Sequence, residues 1–197
     1  MLAPAFADPV HASQGTFRAV MDALARPGTI VPMVTMTAAP PPPPLRPAAA
    51  AVALTLLDYE TPVWLDRALT ERRDVADWFR FHTGAPITSD PGAAAFAFIA
   101  DSAQAPAFDE FALGTMEYPD RSTTLVLQVE RFTADEGLAL SGPGIAATKI
   151  FAVAPVPRDF RAQLIANRAL FPRGVDLILA SDSEIAALPR SVRVAND

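Results

Sequence analysis

The sequence predicts a three-layer α/β/α fold within one domain. Three observations carry this. Helical and extended patterns alternate along the chain, several extended runs are apolar on both faces, and no repeat or internal boundary divides them. The 197 residues suffice for one large core.

The first twelve residues read as an irregular arm. Ser13 can cap a helix with Phe17, Val20, Met21 and Leu24 inward, and Arg26-Pro27-Gly28 ends it. Thr29 to Met36 predicts a strand that Pro32 confines to an edge. Pro40 to Pro44 predicts an exposed polyproline II segment within a Pro-rich loop, 40–47. Ala48 to Leu57 is apolar nearly all round, so it predicts a buried helix. Pro62 forbids its continuation, and Pro62 to Leu65 becomes a short strand.

Asp66 to Arg73 reads as a loop. Asp74 then caps a helix over Val75 to Phe81, with Val75, Trp78, Phe79 and His82 on one face. Ala93 to Ile99 predicts a buried strand, and Phe108 to Met116 one or two helical turns. Ser122 to Val129, rich in β-branched residues, is the clearest strand. Glu136-Gly137 predicts a turn between strands, followed by Leu138 to Leu140 and Lys149 to Val153. Asp159 to Leu170 predicts a helix with Phe160, Leu164, Ile165 and Ala169 inward. Val175 to Leu179, Ile185 to Pro189 and Ser191 to Val194 complete the extended pieces.

Composition excludes several function classes. Hydrophobic content of 51% with 19% charged residues marks a folded chain. A net charge of −6 argues against bulk nucleic-acid binding. Without cysteine there is no disulfide, thiolate metal site or cysteine nucleophile, which fits the cytoplasm. The N-terminus is too soon broken by Pro4 and Asp8 for a signal peptide, and no apolar run predicts a membrane span.

Four places can carry chemistry, each with a plainer structural alternative. Gly142 and Gly144 follow a strand, where exposed N–H groups cradle phosphate or simply make a tight turn. Neither a Walker A nor a dinucleotide fingerprint is present. Arg80 can bind an anion and His82 can move a proton, or His82 closes a helix C-terminus. Asp58 and Glu60 can hold Mg²⁺ or serve as acid and base, or they form a turn. Arg173 and Asp176 flank Gly174 as a ligand site or as an ion pair fixing that turn; the ion pair is favoured. Lys149 is the one lysine, hence the one residue able to form an internal aldimine. Two histidines and no cysteine argue against a transition-metal site.

Residues alone stop there. Taken together, however, seven stretches resemble the PhnH family, a component of the bacterial carbon–phosphorus lyase core complex. They are Thr16-Phe17-Arg18 to Gly28, Leu54 to Leu65, Arg80 to Pro86, Thr124 to Val129, Ser141 to Ile145, Phe171 to Leu179, and Leu188-Pro189-Arg190. They follow the family's order across nearly the whole chain. The resemblance implies a fold like the large domain of type I pyridoxal-phosphate (PLP) transferases, without the cofactor, and a homodimer. It implies work alongside other core subunits in phosphonate breakdown, joining methylphosphonate to the ribose of MgATP and displacing adenine. The product is ribose 1-methylphosphonate 5-triphosphate. It implies no cofactor in this chain and little catalysis by the chain alone. Asp58, Glu60, Arg80, His82, Gly142, Gly144, Arg173 and Asp176 all fall in family-like stretches. The proline run and Lys149 depart from the family pattern. A direct part in nucleotide or phosphonate binding or transfer within the complex, with Arg80, His82 and the 142–144 turn contacting phosphate, is the alternative, and a free-standing PLP enzyme using Lys149 is the remote one.

Overall fold

The computed structural model describes residues 5–33 and 39–195, the side chains of 134 and 135 excepted. Five helices and ten strands are assigned there: α1 (Pro9–Ala25), β1 (Val31–Pro32), α2 (Pro47–Leu56), β2 (Val63–Leu65), α3 (Arg67–Thr70), α4 (Arg73–Thr83), β3 (Ile87–Thr88), β4 (Phe96–Ile99), β5 (Thr124–Gln128), β6 (Arg131–Ser141), β7 (Lys149–Ala154), α5 (Phe160–Ala169), β8 (Asp176–Ala180), β9 (Glu184–Leu188) and β10 (Arg193–Val194).

Seven strands form the central sheet in the order β1-β9-β8-β5-β4-β2-β3. From β3 to β8 the strands are parallel; β9 and β1 add on antiparallel. A smaller antiparallel sheet has the order β10-β6-β7.

Side chains alternate across each strand, and this splits the core in two. Val63, Leu65, Phe98, Val126, Ile178 and Ile185 pack with α1, α2 and α4 on one face. Ala97, Ile99, Leu125, Leu127, Leu177 and Leu179 pack with α5 and the small sheet on the other. The fold is therefore mixed α/β and layered, but the second outer layer is not helical alone. It combines α5 with three strands. The sequence could not announce this, since β6 and β7 meet only through their long hairpin.

Helix α2 bears out the expectation of a buried helix: Ala48 to Ala53 are 0–1% exposed. Small side chains let it lie close against the sheet. Other elements differ from expectation. Helix α1 begins at Pro9, because Asp8 and not Ser13 caps it, accepting from the His11 N–H. Its buried side is Thr16, Ala19, Val20 and Ala23, which leaves Phe17 and Met21 exposed. Pro32 does lie on an edge strand, while residues 34–36 of that run fall outside the described residues.

The proline run is not a free spacer. The Leu45 N–H closes a turn onto the Pro42 carbonyl at 3.0 Å, and Pro41 is buried. Asp66 converts the supposed loop into α3 by capping it. Asp74 sits inside the first turn of α4 rather than at its cap, paired with Arg72 at 3.0 Å. Residues 108–110 form a single 3₁₀ turn. Glu136-Gly137 lies within β6, where the pairing with β7 shifts register between Thr133 and Leu138. On α5 the inward residues are Phe160, Leu164 and Asn167, whereas Ile165 and Ala169 face out. Asn167 is buried because its amide bonds both the N–H and the carbonyl of Val175.

Candidate functional site

Open α/β sheets bind ligands beyond the carboxyl ends of their parallel strands, where strand order reverses. Here the order reverses at β2, flanked by β3 and β4. Asp66 follows β2 directly and is buried. One of its oxygens accepts the Ala100 and Asp101 N–H groups at 2.8 and 2.9 Å; the other accepts the Leu69 N–H at 3.0 Å. Burial pushes its pKa above the ordinary carboxylate value, against the pull of these N–H groups. The β2–β4 crevice is thus filled by the chain's own carboxylate. Nearby, the Ser102 hydroxyl donates to the Gln128 carbonyl at 2.7 Å. The Gln128 side chain accepts from the Arg46 N–H and donates to the Pro44 carbonyl at 3.0 Å. This is what holds the proline turn against the sheet. Sequence reasoning missed Asp66; its place between a strand and a four-residue helix gave a capping signal and no more.

At the opposite end of the sheet the structure reassigns an ion pair. Asp176 pairs with Arg190, not with Arg173. The Arg190 guanidinium reaches both Asp176 oxygens, the Pro119 carbonyl and the Ser122 hydroxyl, and the Arg190 backbone N–H donates to Asp176 at 2.8 Å. Arg173 lies in the preceding turn, with its Nε buried and without a hydrogen-bond partner among the described residues. The Arg168 Nε is in the same state, and its guanidinium lies 4.7 Å over the Phe171 ring.

Four of the sequence-predicted residues lie on two elements that touch, the turn after α2 and the end of α4. Asp58 closes the turn after α2, accepting from the Thr61 hydroxyl at 2.6 Å and the Glu60 N–H at 2.9 Å. These two bonds hold its carboxyl below the usual range. Glu60 is exposed in the same turn. Tyr59 between them lies against Gly84, which ends α4: a Cβ on that glycine would stand 3.7 Å from the Tyr59 Cβ. The last turn of α4 carries Arg80 and His82. Arg80 approaches Asp77 at 3.4 Å. The His82 ring lies 4.9 Å from the rings of Trp78 and Phe81, and burial lowers its pKa. Tyr59 is 75% exposed and Phe81 61%. Each of the two elements thus presents an exposed ring and charged side chains, and they touch where Tyr59 lies against Gly84.

Gly142 and Gly144 lie elsewhere, after β6. Both have positive φ, 131° and 80°. A Cβ at Gly144 would run into the Ala25 carbonyl oxygen, so the small residue lets this turn press against the end of α1. Lys149 donates to the Thr29 hydroxyl at 2.7 Å, and its pKa is lowered by burial and then by Arg26. Among the described residues no group of three His, Asp or Glu side chains could hold a metal ion. No helix among them is long and apolar enough to cross a membrane.

Comparison with known proteins joins this geometry to a family. Residues 4–195 match the family model described as bacterial phosphonate metabolism protein (PhnH). The chain is 47% identical over 193 residues to the α-D-ribose 1-methylphosphonate 5-triphosphate synthase subunit PhnH of Rhizobium meliloti (strain 1021), covering 98% of this chain and 95% of that one. It is 39% identical over 82 residues, 42% of either chain, to the HtxG protein of Stutzerimonas stutzeri, named as a candidate C-P lyase subunit.

Proposed function

This chain belongs to the PhnH family, and from that premise we propose that it serves phosphonate metabolism by docking rather than by turnover of its own. It is a subunit of α-D-ribose 1-methylphosphonate 5-triphosphate synthase. The other subunits of that enzyme are its partners, and turnover of MgATP and methylphosphonate belongs to the assembled complex. The chain needs no cofactor and works in the cytoplasm. The parallel run β3-β2-β4-β5-β8, backed by α1, α2 and α4, supports reading the fold as a PLP-transferase large domain put to another use.

One observation carries the docking reading: Tyr59, between Asp58 and Glu60, and Phe81, between Arg80 and His82, both stand exposed on elements that meet where Tyr59 lies against Gly84. Tyrosine and arginine dominate the residues that hold interfaces together, and large exposed rings are costly without a partner. The occupant is another synthase subunit. The double variant Tyr59→Ser, Phe81→Ser melts as the wild type does and fails to copurify with the other synthase subunits. Copurification at the wild-type level would refute the reading.

A homodimer is a second part of the proposal, and α1 supports it. Val10, Phe17 and Met21 are each at least 50% exposed and recur along one stripe of that helix. A second copy covers this stripe. Sedimentation of the Phe17→Arg, Met21→Arg variant as a monomer is the expected result.

A further inference from the structure

Beyond the carboxyl ends of β2 and β3 lies a cavity of about 470 Å³, the size that holds small ligands. We propose that it is a nucleotide site, with the Trp64 indole stacking on the base and Arg67 taking a phosphate.

Its position comes first. Strand order reverses at β2, and Asp66 fills the crevice on the β4 side. The β3 side remains open, and the cavity is there, walled by Trp64, Arg67, Thr70, Thr88 and Ser89. The sharp turn at Asp66, from strand into α3, brings Trp64 and Arg67 to one cavity.

The chemistry follows. Trp64 alternates with Val63 and Leu65, so it faces away from the helical layer and is half-buried. Its ring contact among the described residues is with Phe111, at 5.5 Å and 82°, a T-shaped approach. No aromatic side chain there stacks flat on the indole, and a base can. Arg67 pairs with Glu71 at 2.6 Å, but the side chains are 89% and 61% exposed. Such a pair is weak in water and yields to a phosphate that the guanidinium can grip at two points. Thr88 and Ser89 supply hydroxyls of the kind that meet a ribose. The larger groove, about 540 Å³ between residues 107–113 and α5, has the wrong chemistry for this ligand. Asp109 and Asp159 line it, and no cation does.

The site is independent of the docking patch, so the test uses the full chain without partners. The sequence holds two tryptophans, so Trp78→Phe makes Trp64 the sole reporter. Titration with ATP quenches its fluorescence saturably, and calorimetry on the unsubstituted chain gives the same affinity. Arg67→Ala weakens binding about tenfold. Glu71→Gln, by freeing Arg67, tightens it. Adenosine still quenches, more weakly, while tripolyphosphate alone leaves the signal unchanged. The absence of saturable binding in both measurements overturns the proposal. So does ATP binding that neither Arg67→Ala nor Trp64→Leu alters.

Discussion

The two ends of the central sheet each hold a carboxylate away from open water, Asp66 buried and Asp176 partly so, and they neutralise it in opposite ways. At the amino ends of the strands Asp176 meets a full opposite charge, Arg190, whose remaining donors go to Pro119 and Ser122. At the carboxyl ends Asp66 meets only backbone N–H groups. An arginine offers a rigid fork that ties its own turn to the start of β8 and to the 119–122 loop. N–H groups offer partial charges, each fixed to its own strand or turn. The first arrangement is a clamp built on a full charge pair. The second leaves burial as the larger influence on the carboxyl, which keeps its pKa raised.

The sharpest way to break this contrast is to remove the clamp. Arg190→Met strands the Asp176 carboxylate and should cost about 3–4 kcal/mol in urea unfolding. A cost no larger than that of an exposed pair, below about 1 kcal/mol, would mean that the cross-link is ornamental. Asp66→Ala should cost less, about 2–3 kcal/mol, by orphaning the N–H groups of Leu69, Ala100 and Asp101.

Titration sharpens the same comparison. With its folded pKa raised above 3.8, Asp66 contributes a stability that is full below that value and lost as pH rises through the folded pKa. The margin of the wild type over Asp66→Asn therefore narrows with rising pH, measured by unfolding between about pH 4 and 7. A margin that widens would reverse the assignment. The smallest effect belongs to Arg80→Ala, which should shift stability by less than about 0.5 kcal/mol, since its ion pair with Asp77 is exposed at both ends.

Local chemistry made much of this fold legible. The β-branched run at β5, the alanine-rich α2 and the αL glycine after α4 each declare themselves within a few residues. What escaped depends on distant partners. Nothing near Pro44 says that Gln128 will bind its carbonyl, 84 positions away. Arg173 is three residues from Asp176, and proximity in sequence favoured that pair. The turn between them instead aims Asp176 at Arg190, which the β8–β9 hairpin brings back to the same end. The candidate residues stood out as a set through family resemblance, and α4 and the Asp58 turn carry four of them. Trp64 and Arg67 carried no motif. Their meaning depends on strand order, which no local pattern encodes.

Both margins of the main sheet finish in two-residue strands, one of them ending on Pro32 and the other following Pro86. Neither offers a row of free backbone groups long enough for another chain to extend the ladder. Growth of the main sheet by strand addition is thereby discouraged. Among the described residues, the edge that can accept a further strand is β7 of the small sheet, six residues long, so copies and companions meet the main sheet through side chains on the helices and turns that flank it.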